Sequence, residues 1–246
     1  MYILEGNIGA GKSTFLKLIE EHQVGISVVQ EPKENWCTPT EGVSLFERFY
    51  HEPTRWAYTI ETLIMTCRVR DHLQAQVDTN PNRLMERSVY SGHYCFAKNG
   101  FESGYFTSLE WYAYSKLLDF MVQEQCRLPL GFIYLQTTPE ICFQRIKTRN
   151  RDGERDISIE YLTRIHNLHE KFLVQHDEVF EELKKVPVLM LDGNDNFLKD
   201  KNYFETLIGK VREFMQVTQQ VNPSIRLTEL GSQDKPSTNF SELNLS

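Results

Sequence analysis

The sequence predicts an α/β fold in which a five-stranded parallel sheet is flanked by helices. Three observations carry this expectation. Short apolar runs alternate with long helical patterns, the order that buries a parallel sheet between helices. The first apolar run passes through a glycine-rich turn straight into a helical pattern. No internal repeat interrupts the alternation, and no apolar stretch in the 246 residues approaches the roughly 20 needed to cross a bilayer.

The elements follow in order. Tyr2–Glu5 reads as a strand, residues 6–11 as a glycine loop, and Lys12 to Glu21 as a helix. Ile26–Gln30 is the second strand, and Arg55 to Asp78 a long mixed polar and apolar helix. Arg83–Glu86 is a short third strand. Leu109–Gln125 is helical and apolar around much of its girth, which suits burial on two sides, and Pro129 marks its exit. Phe132–Leu135 is the fourth strand and Pro139–Lys147 a helix. Ile157, Leu162, Ile165, Leu168 and Phe172 recur at helical spacing and predict a helix over Ile157–His176. Val188–Leu191 is the fifth strand and Tyr203–Met215 the last helix. From about Gln219 the chain turns polar, with Asn222-Pro223-Ser224 and Asp234-Lys235-Pro236-Ser237. This divides it into one domain over residues 1–218 and a flexible tail over 219–246.

Composition narrows the function. Twenty-seven Lys and Arg against 34 Asp and Glu leave a formal charge of −7. That argues against a general nucleic-acid or anionic-membrane binder, because affinity for a phosphate backbone is largely electrostatic. A local positive site for a small anion is still compatible with it. The five cysteines, Cys37, Cys67, Cys95, Cys126 and Cys142, are odd in number, widely spaced and lack a C-x-x-C pair. They predict free thiols in a reducing compartment, not a disulfide framework or a zinc module. The N-terminus runs directly into the glycine motif, so no signal or transit peptide is expected and the cytoplasm is the expected location.

Gly6-Asn7-Ile8-Gly9-Ala10-Gly11-Lys12-Ser13 fits G-x-x-x-x-G-K-[ST] between a predicted strand and a predicted helix. Glycines let the backbone turn its N–H groups toward a polyphosphate, and the helix N-terminus adds favourable partial charge. Lys12 can reach the β- and γ-phosphates, and the Ser13 hydroxyl can ligate Mg²⁺. Thr14 follows in the same turn. The motif points to a nucleoside triphosphate without specifying the reaction. Two acids could complete a metal site: Asp192 at the end of the fifth strand, or Glu86 at the end of the third. Pattern alone favours Asp192.

Further pieces fall into order downstream: Glu31-Pro32 after strand two, Glu86-Arg87-Ser88 after strand three, and Arg145-x-x-x-Arg149-x-Arg151. In this order and spacing the chain resembles the deoxyribonucleoside kinase family, the salvage kinases for deoxycytidine, deoxyadenosine, deoxyguanosine and thymidine. The likeness runs from about Tyr2 to Met215 and takes in Arg55-Trp56, residues 86–91, residues 157–162 and residues 186–189. It implies the P-loop kinase fold with an arginine-rich lid. It also implies Mg²⁺ and ATP or another nucleoside triphosphate as donor, a deoxynucleoside as acceptor, and a homodimer with neither nucleic-acid nor membrane partners.

The resemblance assigns roles residue by residue. Glu31 is the base for the 5′-hydroxyl, and Arg87 holds Glu31 and the substrate's 5′ end. Glu86, not Asp192, serves the metal together with Ser13. Arg145, Arg149 and Arg151 lie over the phosphates. Asp195, Asn196 and Phe197 belong to the loop over the donor base. Tyr50 and Glu154 grip the sugar 3′-hydroxyl. Trp36, Phe49, Trp56 and Phe96 match or neighbour the acceptor pocket, with Phe96 stacking on the base. Phe49 and Trp56 are equally compatible with plain packing.

Two departures concern the base. Glu61 stands where the family usually has Gln, and Gly92 stands where purine- and cytidine-using members commonly have Asp beside the arginine matched by Arg68. An ionised carboxylate only accepts hydrogen bonds, which suits the adjacent N1–H and 2-amino donors of guanine. Cytosine and adenine would bring an acceptor against it, at roughly 1–3 kcal/mol for the unmatched pair. The expectation is therefore a purine preference, deoxyguanosine first. Alternatively Glu61 is protonated and mimics Gln, or turns away to pair with Arg68. Competing readings are a nucleoside monophosphate kinase and a nucleotide-dependent switch. For the switch, neither an N-K-x-D nor a D-x-x-G motif is present.

Overall fold

The structure, a computed structural model, describes residues 1–31, 45–151, 154 and 157–221. Trp36, Cys37 and residues 222–246 of the tail lie outside the described residues.

Five strands, β1 (Tyr2–Glu5), β2 (Ser27–Val29), β3 (Arg83–Glu86), β4 (Gly131–Gln136) and β5 (Val188–Asp192), form one sheet in the order β2-β3-β1-β4-β5. Every pairing is parallel. Successive side chains of a strand point to opposite faces, and here both faces are covered. Ile3, Met85, Phe132 and Tyr134 pack into one core, while Tyr2, Leu4, Leu84, Ile133, Leu135 and Leu191 pack into the other. That is why these strands read as short unbroken apolar runs.

Helices α1 (Lys12–Glu21) and α9 (Lys201–Val221) supply the second core through Phe15, Leu16, Ile19, Phe204, Leu207, Ile208 and Val211. The first core is closed by several elements. They are α3 (Pro53–Val77), α4 (Val89–Ser91, continuing as π turns over Gly92–Ala97 and as helix over Lys98–Glu102), α5 (Ser108–Leu118, with π turns over Asp119–Gln123), α7 (Ile159–Glu170, with π turns over Lys171–Gln175) and α8 (Glu181–Lys184). Two further helices face the site, α2 (Leu45–His51) and α6 (Pro139–Arg149).

All five sequence-predicted strands and six predicted helices are present, with ends shifted by a few residues. The last helix runs six residues past Met215 to Val221, and Gln219 donates to the Pro81 carbonyl and to Asn82 Oδ1 (3.0 Å). Thr107 and Glu110 form a reciprocal capping box that starts α5. The girth of α5 is divided: Tyr114 and Leu118 are buried, while Leu109, Tyr112 and Phe120 are largely exposed. Helices α2, α4 and α8 were not legible. Residues 89–102 include Ser91, Gly92 and Gly100, poor helix formers that tertiary packing overrides.

β1 is the middle strand, where the chain order reverses between β3 and β4. Open α/β sheets bind ligands in the crevice outside the carboxyl ends of the strands at such a point. The glycine loop leaves β1 there, Glu31 follows β2, and Arg87 follows β3.

Candidate active site

The glycine loop wraps the N-terminus of α1. Gly9 has φ +79°, and a Cβ there would stand 2.6 Å from the Cys142 carbonyl oxygen of α6, so only glycine fits. The loop is tied down on three sides. The Asn7 amide donates to the Leu162 carbonyl (2.8 Å). Lys12 Nζ donates to the carbonyls of Gly6 (2.9 Å) and Asn7 (2.8 Å). The Ala10 carbonyl accepts from Arg145 Nη1 (2.9 Å). Ser13 Oγ donates to Glu86 Oε1 at 2.8 Å, so the hydroxyl and carboxylate expected to serve a cation are side by side. Among the described residues no three His, Cys, Asp or Glu side chains gather into a metal cage. Asp192 instead accepts from the Asn194 backbone N–H and side chain in its own turn.

Above the loop opens a cavity of about 390 Å³. Ile8, Gly9, Gly11, Lys12, Ser13 and Thr14 line its floor, and Glu86 lies beside them. Glu31, Arg68, Arg87 and Phe96 form one wall. Phe49, Tyr50 and Glu61 form another, and Arg149, Arg151 and Glu154 close the lid side. Sequence reasoning missed several lining residues: Phe46 and Glu47 of α2, Ile60 and Ile64 of α3, Ile157, and Tyr161 of α7. Ile60 and Ile64 share one face of α3 with Glu61 and Arg68, a helical spacing that could have found them.

The wall at Glu31 is an ion-pair cluster. Arg68 Nη2 donates to Glu31 Oε1 at 2.7 Å, and Arg87 Nε lies 3.7 Å from Glu31 Oε2; all three side chains are buried. Burial opposes the charge on Arg68, but Glu31 first, with Glu61 and Glu5 beside it, holds the guanidinium above its ordinary value. Arg87 sits at φ +63°, an uncommon left-handed conformation for a non-glycine residue, and its guanidinium lies 4.7 Å from the Phe96 ring centroid. Phe96 is carried on the π turns of α4, a form of helix frequent at functional sites. Beneath this wall Glu5 is fully buried and accepts from Ser88 Oγ; desolvation raises its pKa. An acid closing the first strand just before the glycine loop was the available signal for Glu5, and it went unread.

Glu61 meets no such partner. It makes no hydrogen bond or ion pair with any described residue, and desolvation pushes its pKa up to about 7 against the opposing pull of Arg68. The alternative of a Glu61–Arg68 ion pair is not what forms: Arg68 belongs to Glu31.

Other expected residues land elsewhere. Arg145 lies outside the cavity lining, because its Nη2 donates to the carbonyls of Asn194 (3.1 Å) and Asp195 (3.3 Å) while Nη1 holds Ala10. It thereby joins the phosphate loop to the 192–197 loop. Phe197 is buried, edge-on to Phe15 and against Gly11, while Asp195 and Asn196 line a separate shallow recess. In the lid, Arg149 Nε donates to Glu154 Oε2 at 2.9 Å and Arg151 Nη1 lies 3.8 Å from Glu154 Oε1. Trp56 does not line the cavity; the guanidinia of Arg48 and Arg55 cover its ring. His169 is fully buried and stacked on Tyr134.

A phosphate loop, a hydroxyl–carboxylate pair and a buried carboxylate held by arginines share one cavity at a sheet switch point. Fold and site together define a P-loop phosphotransferase. Residues 2–216 match the deoxynucleoside kinase family model, and the chain belongs to that family. It is 37% identical to deoxycytidine kinase 2 of Gallus gallus and 36% identical to deoxycytidine kinase of Homo sapiens, in each case over 86% of this chain and 89% of the relative. It is 33% identical to the mitochondrial deoxyguanosine kinase of Xenopus laevis, over 86% of this chain and 88% of that protein. No helix among the described residues is long and apolar enough to cross a membrane.

Proposed function

We propose that the chain transfers the γ-phosphoryl group of ATP or another nucleoside triphosphate to the 5′-hydroxyl of a 2′-deoxynucleoside. Purine deoxynucleosides are preferred, deoxyguanosine first. The observation that carries this reading is the shared cavity: Glu31 faces the same space as Lys12 and the Ser13–Glu86 pair. Phosphoryl transfer to an alcohol is mainly positioning and charge neutralisation, with a base to take the hydroxyl proton.

Glu31 accepts the 5′-hydroxyl proton, and Arg68 and Arg87 fix its two oxygens. Lys12, the loop N–H groups and the N-terminus of α1 hold the donor phosphates. Ser13 and Glu86 would hold Mg²⁺, which supplies charge neutralisation between the phosphates when bound. Tyr50 and Glu154 hold the sugar 3′-hydroxyl. Glu154 is bonded to Arg149 in the present arrangement, so taking up the sugar releases Arg149, with Arg151, toward the phosphates. Arg145 keeps the phosphate loop and the donor-base loop in register. Glu61, as a carboxylate, accepts from the two adjacent donors of guanine. The relatives named as deoxycytidine kinases bring no support to this purine preference, which rests on Glu61 alone. A homodimer through α5 is part of the same reading, and the four described free thiols, Cys67, Cys95, Cys126 and Cys142, suit a reducing compartment such as the cytoplasm.

The test is nucleoside triphosphate turnover against the four deoxynucleosides and their monophosphates. The expected product is a deoxynucleoside 5′-monophosphate, with deoxyguanosine the best acceptor. Glu31→Gln should lower kcat by about 10²- to 10⁴-fold with a smaller change in KM. Turnover of monophosphates only would establish the monophosphate kinase instead. Clear selectivity for thymidine or deoxycytidine would sink the purine preference.

A further inference from the structure

Three features around Glu61 fit together. The carboxyl group lines the acceptor cavity and has no hydrogen-bond or ion-pair partner among the described residues. Arg68, the cation whose charge reaches it, stands two turns further along the same helix, about 10 Å along the axis, and is bonded to Glu31. Gly92 leaves the Arg68 guanidinium room and offers it no carboxylate: a Cβ at position 92 would stand 2.8 Å from Arg68 Nη1. With Arg68 bonded to Glu31, its charge only partly offsets the burial of Glu61, which faces the ligand space as an acid free to gain or lose a proton.

We propose that the protonation state of Glu61 sets base selectivity, the carboxylate admitting guanine and the carboxylic acid admitting cytosine and adenine as well. The hydrogen-bond inventory carries the argument. A carboxylate offers two acceptors, which match guanine N1–H and its 2-amino group. It opposes acceptor to acceptor at cytosine N3 or adenine N1. A carboxylic acid offers one O–H donor and one carbonyl acceptor, the pattern of an amide. The O–H then donates to cytosine N3 or adenine N1, and the carbonyl accepts from the exocyclic amino group. The proton comes from solvent and returns to it; no bond other than O–H is made or broken.

Burial places this titration near neutrality, with the Glu61 pKa at about 7. The other ionisable groups facing the space act differently. Glu31 is paired with Arg68 and Arg87, and Glu154 with Arg149 and Arg151. Burial raises the pKa of Tyr161 of α7, which lines the space, and behind the lining it raises Tyr114 of α5 and lowers His93 of α4 to about 4. Lys12, Glu47, Tyr50 and Glu86 also line it. Groups that serve the phosphates, the sugar or the 5′-hydroxyl affect every deoxynucleoside alike and cancel in a ratio of substrates.

The inference rests on the kinase reading above, and the experiment separates the two. The measurement is kcat/KM for deoxyguanosine divided by that for deoxycytidine, from pH 5.5 to 8.5, in the wild-type chain and in Glu61→Gln. The wild-type ratio should rise about tenfold or more between pH 6 and 8, with a midpoint near 7, since kcat/KM reports the free enzyme. In Glu61→Gln the ratio should be flat and shifted toward deoxycytidine. Turnover of both nucleosides with a wild-type ratio constant within about twofold overturns the inference and leaves the kinase reading standing. So does a Glu61→Gln ratio that follows the wild-type pH curve. The wild-type titration decides alone if the variant fails to fold. No turnover of any deoxynucleoside overturns the kinase reading and this inference with it.

Discussion

Glu61 illustrates how a group useful to a ligand is costly to the fold. Its carboxyl is partly withdrawn from water and has no bonded partner among the described residues, so the folded-state pKa lies above that of the unfolded chain. For an acid shifted this way the native state binds the extra proton. Its stability is therefore fully present below about pH 4.5 and is lost as pH rises through about 7. Glu61→Gln keeps the shape and removes the charge. The variant should match the wild type in thermal or denaturant unfolding near pH 4.5 and exceed it at pH 8, by at most about 3 kcal/mol. An equal difference at both pH values would show that Glu61 does not titrate in the folded chain. Arg68 and Glu31 show the opposite balance. Each is buried, but each answers the other at 2.7 Å, so removing Glu31 takes from the buried guanidinium its bonded carboxylate.

At the scale of elements, the glycine loop depends on its neighbours as much as on its own residues. Its strand–loop–helix order is local and was legible in the spacing of Gly6, Gly11, Lys12 and Ser13. The close approach of α6 was not, since it joins residues more than 130 positions apart. Gly9 carries both constraints, a positive φ and a carbonyl 2.6 Å from any added Cβ. The obstructing atom is helix backbone at a buried residue, Cys142, so it cannot step aside cheaply. Gly9→Ala should destabilise the chain by about 1 kcal/mol or more and weaken nucleoside triphosphate binding. Gly25, with a positive φ and open space around it, is the control: Gly25→Ala should cost stability through φ alone and leave nucleotide binding unchanged. Calorimetry with nucleotide titrations of both variants checks this. The segment 89–102 makes the same point about elements. Its glycines and serine argue against a helix locally, yet Ser88 caps it, and Val89, Tyr90, Tyr94 and Cys95 are buried on the sheet.

At the scale of the whole molecule, the outer face of α5 presents large apolar side chains that no described residue covers. Leu109, Tyr112 and Phe120 recur at helical spacing and are 76%, 61% and 57% exposed. Large apolar side chains aligned on one exposed face mark an interface. The wild-type chain should sediment as a dimer, and Leu109→Glu with Tyr112→Glu should yield a folded monomer. A wild-type monomer at micromolar concentration would remove the homodimer from the reading. By itself the sequence determined the five strands, the phosphate loop and the order of Glu31, Glu86, Arg87 and the lid arginines. Those signals are carried by residue type at short spacing, where backbone geometry fixes who is next to whom. Only the tertiary structure decided which charges meet. It gave Arg68 to Glu31 instead of Glu61, took Arg145 out of the cavity to bridge two loops, and set Glu154 against Arg149. Those choices depend on distance and burial between elements remote in sequence, and on the space that Gly92 leaves.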